Sequence, residues 1–223
     1  MADKQKSLIL KYHYLFTQRF ARLLSGMLFG LRAFGRENVP DEGPVLLLSN
    51  HQSYLDPIFC TVTLPREVDF VARDSLFKNR LFGAYIRSLS AFPVQRDQAD
   101  VRAIKAIIDR LKAGRVVILF PEGTRSADGR IGPIKSGFEL IARRSGALTI
   151  PVVVDGAFDV WPRQQSLPNT GRIYVSYGKG IPAEQVKQMK HGEFVSTVSR
   201  QLRQMQTELR RRHGKTPFDY GDM

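Results

Sequence analysis

"VLLLSNHQSYLDPIFCTV", residues 45–62, sets a polar octet between two apolar runs. The first run is continuously apolar through Leu48 rather than alternating, the pattern of a strand covered on both faces. The second opens on Asp56-Pro57, an N-cap followed by proline at the first helical position, and reads as a helix over 57–64. A buried strand, a polar turn and a helix, in that order, begin a layered α/β sheet.

The turn holds one histidine, His51, five residues before Asp56. Two readings stand at this point. Asp56 is a helix cap beside a histidine satisfied by backbone, or it orients His51 as a general base. The pair would not share a face on one helix. A chain turning through Gln52–Leu55 would let the carboxylate fold back onto the imidazole, fix its tautomer and leave the other nitrogen free. The readings are compatible, since one carboxylate can do both.

Outward from this stretch the same texture continues. Strands are predicted at 45–49, 68–72, 91–94, 115–120, 148–154 and 172–178, and helices at 57–64, 76–89, 98–113, 134–145 and 183–213. Gly114 and Gly146 follow two of the helices where a left-handed cap needs glycine. The fold class is therefore α/β: a mixed, largely parallel central sheet with helices on both faces, plus an N-terminal amphipathic helical segment. Residues 41–223 form one domain, and residues 1–40 an appendage.

In that appendage, residues 6–34 are rich in Leu, Phe, Tyr and Met, with Lys6, Lys11, Arg19, Arg22 and Arg32 interspersed. The longest uncharged stretch, Leu23 to Leu31, has nine residues, against the ~20 a membrane-spanning helix needs. A basic, aromatic helix lying in a membrane interface fits the pattern, as does one docked on the protein's own core.

Charge is the unusual part of the composition. The 223 residues carry a net +13, of which residues 1–40 contribute +5 and residues 187–215 contribute +6. The middle is nearly neutral. Basic ends point to a polyanionic partner, a nucleic acid or an anionic membrane. No nucleic-acid-binding motif accompanies the charge, and an apolar N-terminal helix suits such a partner poorly, so no nucleic acid is expected. One cysteine, Cys60, excludes an internal disulfide framework and reads as a small buried hydrophobe. There is no Gly-x-Ser-x-Gly elbow, no Walker loop, no His-Glu-x-x-His and no cysteine pair, so neither a serine-hydrolase nor a zinc site is expected.

A second polar cluster, "FPEGTRS" at 120–126, leaves another apolar strand. Its glycine turn exposes backbone N–H groups, and Arg125 presents a planar fork suited to phosphate. Sites in open α/β sheets gather outside the carboxyl ends of strands, so the two clusters can converge on one crevice.

These residues carry a family resemblance. "NHQSYLD" matches the Asn-His-x4-Asp block of the glycerolipid acyltransferases, and "FPEGTRS" is similar to their third block almost letter for letter. "AFPVQRD" resembles the second block, with Pro93 in place of the usual apolar residue, and "IPVVVDG" the fourth; "IKSGF" at 134–138 resembles the family's Lys-x-Gly helix start. The resemblance covers roughly Ser49 to Pro162. It implies fatty acyl transfer from acyl-CoA or acyl carrier protein to the sn-2 hydroxyl of 1-acylglycerol-3-phosphate, without cofactor or metal. His51 is then the base and Asp56 its partner. Arg96, Glu122, Gly123 and Arg125 hold the acceptor phosphate, while Asn50, Thr124 and Pro151 lie on the pocket or donor side. An anionic membrane surface, the cytoplasmic face of a bacterial inner membrane, is the implied location, with peripheral or monotopic attachment. Another lysophospholipid, a lyso-ornithine-type lipid or glycerol 3-phosphate remains an alternative acceptor; a basic nucleic-acid-binding protein is the alternative of another class, and a catalytically inert scaffold of the same fold a third.

Overall fold

The structure is a computed structural model that describes residues 2–94 and 101–221, with side chains from Tyr12 onward. In chain order the elements are α1 (Ala2–Phe29), β1 (Arg32–Phe34), β2 (Val45–Ser49), α2 (Asp56–Thr61), β3 (Val68–Arg73), α3 (Arg80–Ser88), β4 (Ala91–Val94), α4 (Val101–Lys112), β5 (Val116–Leu119), α5 (Gly137–Ser145), β6 (Leu148–Asp155), α6 (Ala157–Val160), β7 (Tyr174–Tyr177), α7 (Ala183–Gln188) and α8 (Glu193–Arg212). The strands form one sheet in the order β1-β7-β6-β2-β5-β3-β4. Only β6 and β7 pair antiparallel; the other neighbours are parallel. The fold is the mixed, largely parallel α/β sheet expected.

The continuous apolar runs explain the centre of that sheet. All five residues of β2 are buried, as are all four of β5. Alternate residues point to opposite layers. Leu46, Leu48, Val117 and Val153 meet α4, α5, α7 and α8 on one side. Val45, Leu47, Ile118 and Val152 meet Phe59 and Cys60 of α2 and Ala157 and Val160 of α6 on the other. Pro93, which lacks a ladder N–H, falls in the edge strand β4, where proline is tolerated. Gly114 and Gly146 both take left-handed φ, 78° and 68°, after α4 and α5.

Three elements differ from the expectation. The segment 6–34 is not one helix: Gly30 (φ 49°) closes α1, and Arg32–Phe34 becomes an edge strand beside β7. The final helix is two, α7 and α8. Buried Glu139 accepts from the Gly192 N–H, while the Arg143 guanidinium caps the carbonyls of Lys187, Met189 and Lys190. In the segment 76–89 a 3-10 turn, Asp74–Phe77, comes first, and α3 starts afresh after Asn79, whose side chain accepts from the Phe82 N–H. The predicted helix 98–113 begins outside the described residues.

Helix α1 is docked on one side and bare on the other. Gln18 donates to the carbonyls of Thr61 and Leu64, and the Tyr14 hydroxyl accepts from the Val68 N–H. Tyr12, Phe16, Phe20, Leu23 and Met27 are exposed, Met27 at 74%. No helix among the described residues is long and apolar enough to cross a membrane. Part of the C-terminal basic run is used internally, since Arg210 and Lys215 both bind the buried Asp155.

One tight crossing should limit stability. Gly156, after β6, has φ 92°, and a Cβ there would lie 2.1 Å from the Arg172 carbonyl oxygen. Gly156→Ala should lower the unfolding free energy by about 2 kcal/mol or more, read from urea denaturation.

Candidate active site

Strands β2 and β5 are parallel neighbours with Leu48 opposite Leu119, so both polar clusters leave the sheet at the same carboxyl end. Three contacts then lace them together. The Ser126 N–H donates to the His51 carbonyl at 2.7 Å, Gln52 Nε2 donates to the Gly129 carbonyl at 2.7 Å, and the His51 N–H donates to Glu122 Oε1 at 2.8 Å.

Within the first cluster, Asp56 folds back as the turn allows. Its Oδ2 lies 2.8 Å from His51 Nδ1 and also accepts the N–H groups of Gln52 (2.5 Å) and Ser53 (2.7 Å). Three donors on one oxygen hold the carboxylate, fully buried, in one orientation. The helix-cap expectation needs correction. Asp56 is the first residue of α2 rather than its N-cap, and its side chain serves the preceding turn instead of the helix N–H groups ahead of it. The imidazole stacks on Phe120, 4.2 Å between ring centroids, and its side chain is 13% exposed. With Nδ1–H donating to Asp56, Nε2 carries the lone pair, and no side chain among the described residues bonds to it.

The residues expected to hold phosphate divide. Arg125 lies across the Tyr54 ring, its guanidinium carbon 3.4 Å from the centroid, and Tyr54 meets Trp161 edge-on. One guanidinium nitrogen, Nη1, is buried with no partner among the described residues. Gly123 has φ 70°, and a Cβ there would come within 2.6 Å of Lys135 Nζ, so the turn passes directly under an ammonium group. Thr124 is exposed beside them. Glu122 is placed differently from expectation: Oε1 takes the His51 N–H and Oε2 the Gly132 N–H at 2.9 Å. Both oxygens are committed to backbone, so this side chain fixes the loops and does not face a phosphate. Burial pushes the Glu122 carboxyl above its ordinary value, and the two N–H donors partly oppose that.

The expectation for Asn50 is corrected. Asn50 is buried and bonds in both directions to the Val154 backbone (2.9 and 2.7 Å), extending the β2–β6 ladder instead of lining a pocket. Pro151 lies inside β6, paired with Leu48, and its carbonyl accepts from Gly178. Arg96 lies outside the described residues. Cys60 is buried with its thiol pushed up by burial, and is no nucleophile.

Sequence reasoning missed Tyr54 as the platform for Arg125 and Lys135 as a second cation. Both lie within quoted motifs, and an aromatic two residues before Asp56 was the available signal for the first. Among the described residues no group of three or more His, Cys, Asp or Glu is placed to hold a metal ion. A cavity of about 360 Å³ lies at the opposite, amino, end of β3 and β5. Its arginines are already occupied: Arg66 by the carbonyls of Pro40, Gly43 and Gly114, and Arg115 by Asp69 and Glu67.

A family model described as Acyltransferase matches residues 31–155. The chain is similar to a 1-acyl-sn-glycerol-3-phosphate acyltransferase of Bacillus subtilis, 25% identical over 88% of this chain and 96% of the relative. It is also similar to the chloroplastic 1-acyl-sn-glycerol-3-phosphate acyltransferase LPAT1 of Arabidopsis thaliana, 29% identical over 77% of this chain and 49% of the relative. The chain thus spans about half the length of the chloroplastic relatives. Its fold resembles the crystal structure of the 1-acyl-sn-glycerophosphate acyltransferase PlsC from Thermotoga maritima, with a TM-score of 0.78 and 26% identity over 94% of this chain and 84% of that one.

The Glu122 geometry has a pH signature. A carboxyl raised on folding favours the folded state at low pH, and that contribution is lost as pH rises through its folded value. The stability of wild type relative to Glu122→Gln should therefore increase as pH falls from neutral toward the ordinary glutamate range, measured by denaturation of both proteins across pH.

Proposed function

The chain belongs to the acyltransferase family, and we propose that it transfers a fatty acyl group from a thioester donor, acyl-CoA or acyl carrier protein, to the sn-2 hydroxyl of 1-acylglycerol-3-phosphate. The observation carrying this reading is the oriented His51–Asp56 pair with its free Nε2, set one loop away from Arg125 and Lys135. The acceptor hydroxyl gives its proton to His51 Nε2 as its oxygen attacks the thioester carbonyl. Asp56 stabilises the imidazolium that forms. The tetrahedral intermediate collapses with loss of the thiolate, which takes up the proton, and phosphatidic acid is released. No acyl-enzyme is needed, because the acceptor is itself the nucleophile.

Arg125, kept flat on Tyr54 and only partly buried, suits contact with the acceptor phosphate, and Lys135 adds a point charge beside the Gly123 turn. Residues 1–40 serve as the membrane-binding segment. The exposed side of α1 carries Phe16, Phe20 and Met27 for the lipid, and Arg19 and Arg22 for anionic headgroups. The protein then works on the cytoplasmic face of an inner membrane, where its lysolipid acceptor resides.

In a vesicle assay with oleoyl-CoA, His51→Ala should lower kcat by about 10²–10⁴-fold with an unchanged melting temperature; retention of activity would overturn the base assignment. Arg125→Ala should raise KM for 1-acylglycerol-3-phosphate about tenfold and leave that for the thioester nearly constant. Equal effects on both substrates would remove Arg125 from the phosphate.

A further inference from the structure

We propose that α3, together with the 3-10 turn before it, is a second membrane-contact element, and that it faces an anionic lipid surface beside α1. The proposal rests on the membrane reading of α1 and extends it into the catalytic domain. Helix α3 buries only Gly83 and Ile86 among its nine residues. Leu81 is 86% exposed, Phe82 and Tyr85 are each 46% exposed, and Leu76 of the preceding turn is exposed as well. This apolar face is firmly held. Gly83 packs so closely on Phe77 that an added Cβ would lie 2.9 Å from its carbonyl oxygen, and Asn79 caps the helix start.

The surroundings select the partner. Between residues 73 and 88 the exposed charges are Arg73, Lys78, Arg80 and Arg87 against the single acid Asp74. Over 12–29, α1 has Arg19 and Arg22 and no acid. Apolar side chains ringed by cations match a bilayer with anionic headgroups, where the hydrocarbon takes the former and the phosphates the latter. The two faces are also continuous, because the His13 ring on the flank of the α1 stripe meets Tyr85 edge-on at 6.4 Å. The turn 74–77 leaves β3 at the carboxyl end of the sheet, the end at which His51 leaves β2. A bilayer contacting this turn and the start of α3 would reach toward the end of the sheet at which His51 leaves β2.

Flotation of the full chain with vesicles of phosphatidylglycerol and phosphatidylcholine tests this against vesicles of phosphatidylcholine alone. Leu81→Ser with Phe82→Ser should weaken partitioning into the anionic vesicles about tenfold or more, with thermal melting unchanged. Phe16→Ser with Met27→Ser in α1 serves as the parallel arm. A second measurement does not depend on the double variant folding. Cys60 is buried, so Leu81→Cys accepts a polarity-sensitive fluorophore selectively. Its emission should shift to the blue on anionic vesicles and be quenched by brominated acyl chains. Loss of binding in the α1 variant, with the α3 variant and the fluorophore unaffected, overturns the α3 proposal and leaves α1 as the anchor. Absence of wild-type binding overturns both. A blue shift that tracks protein concentration without vesicles assigns the face to self-association and also overturns the proposal.

Discussion

The register that sets Leu48 beside Leu119 is the constraint on which the site depends. Parallel pairing makes two segments, 71 residues apart in sequence, emerge side by side and pointing the same way. A slip of either strand by one residue would reverse the face of every side chain along it and carry His51 away from Glu122. The sheet alone does not hold the emerging loops, since irregular backbone needs partners of its own. Glu122 supplies them, with one oxygen on each of two loop N–H groups. A buried carboxylate is costly to desolvate, and the raised carboxyl of Glu122 is the trace of that cost.

Asp56 and Glu122 thus solve one problem in two ways. Each is a buried acid in the chain that follows a central strand, and each takes backbone N–H groups as donors. Asp56 adds the imidazole to its set, so the group that stiffens the turn also fixes the histidine tautomer. Glu122 holds the histidine by its backbone from the neighbouring loop. The ring is further confined by Phe120, which covers one of its faces. The imidazole is thereby held in one orientation by the chain's own groups.

Much of this was legible in the sequence, and the reasons are physical. Continuous apolar runs such as "VLLLS" and "RVVILF", short and set off by turn residues, have the pattern of strands buried on both faces, so the centre of the sheet was readable. The fold-back of Asp56 was one of two readings that the turn left open, and the structure has it. Edges were harder to read. Arg32–Phe34 carries no strand pattern and pairs only because β7 offers a free edge. The break between α7 and α8 is made by Glu139 and Arg143, fifty residues away, which local periodicity does not contain. In the site, motif letters identified the right loops but not which way each side chain turns. Asn50 and Glu122 face inward because a sheet and a pair of loops needed their hydrogen bonds, and that demand is visible only in three dimensions.

The docking of α1 has a mechanical side. Gln18 grips the carbonyls of Thr61 and Leu64, at the far end of the short helix whose first residue is Asp56. The bare face of α1 is thereby held at a set angle to the imidazole, with six helical residues as the lever between them. A chain built this way does not swing from a tether. On the reading in which α1 rests on a membrane, that angle also sets how the histidine stands over the surface.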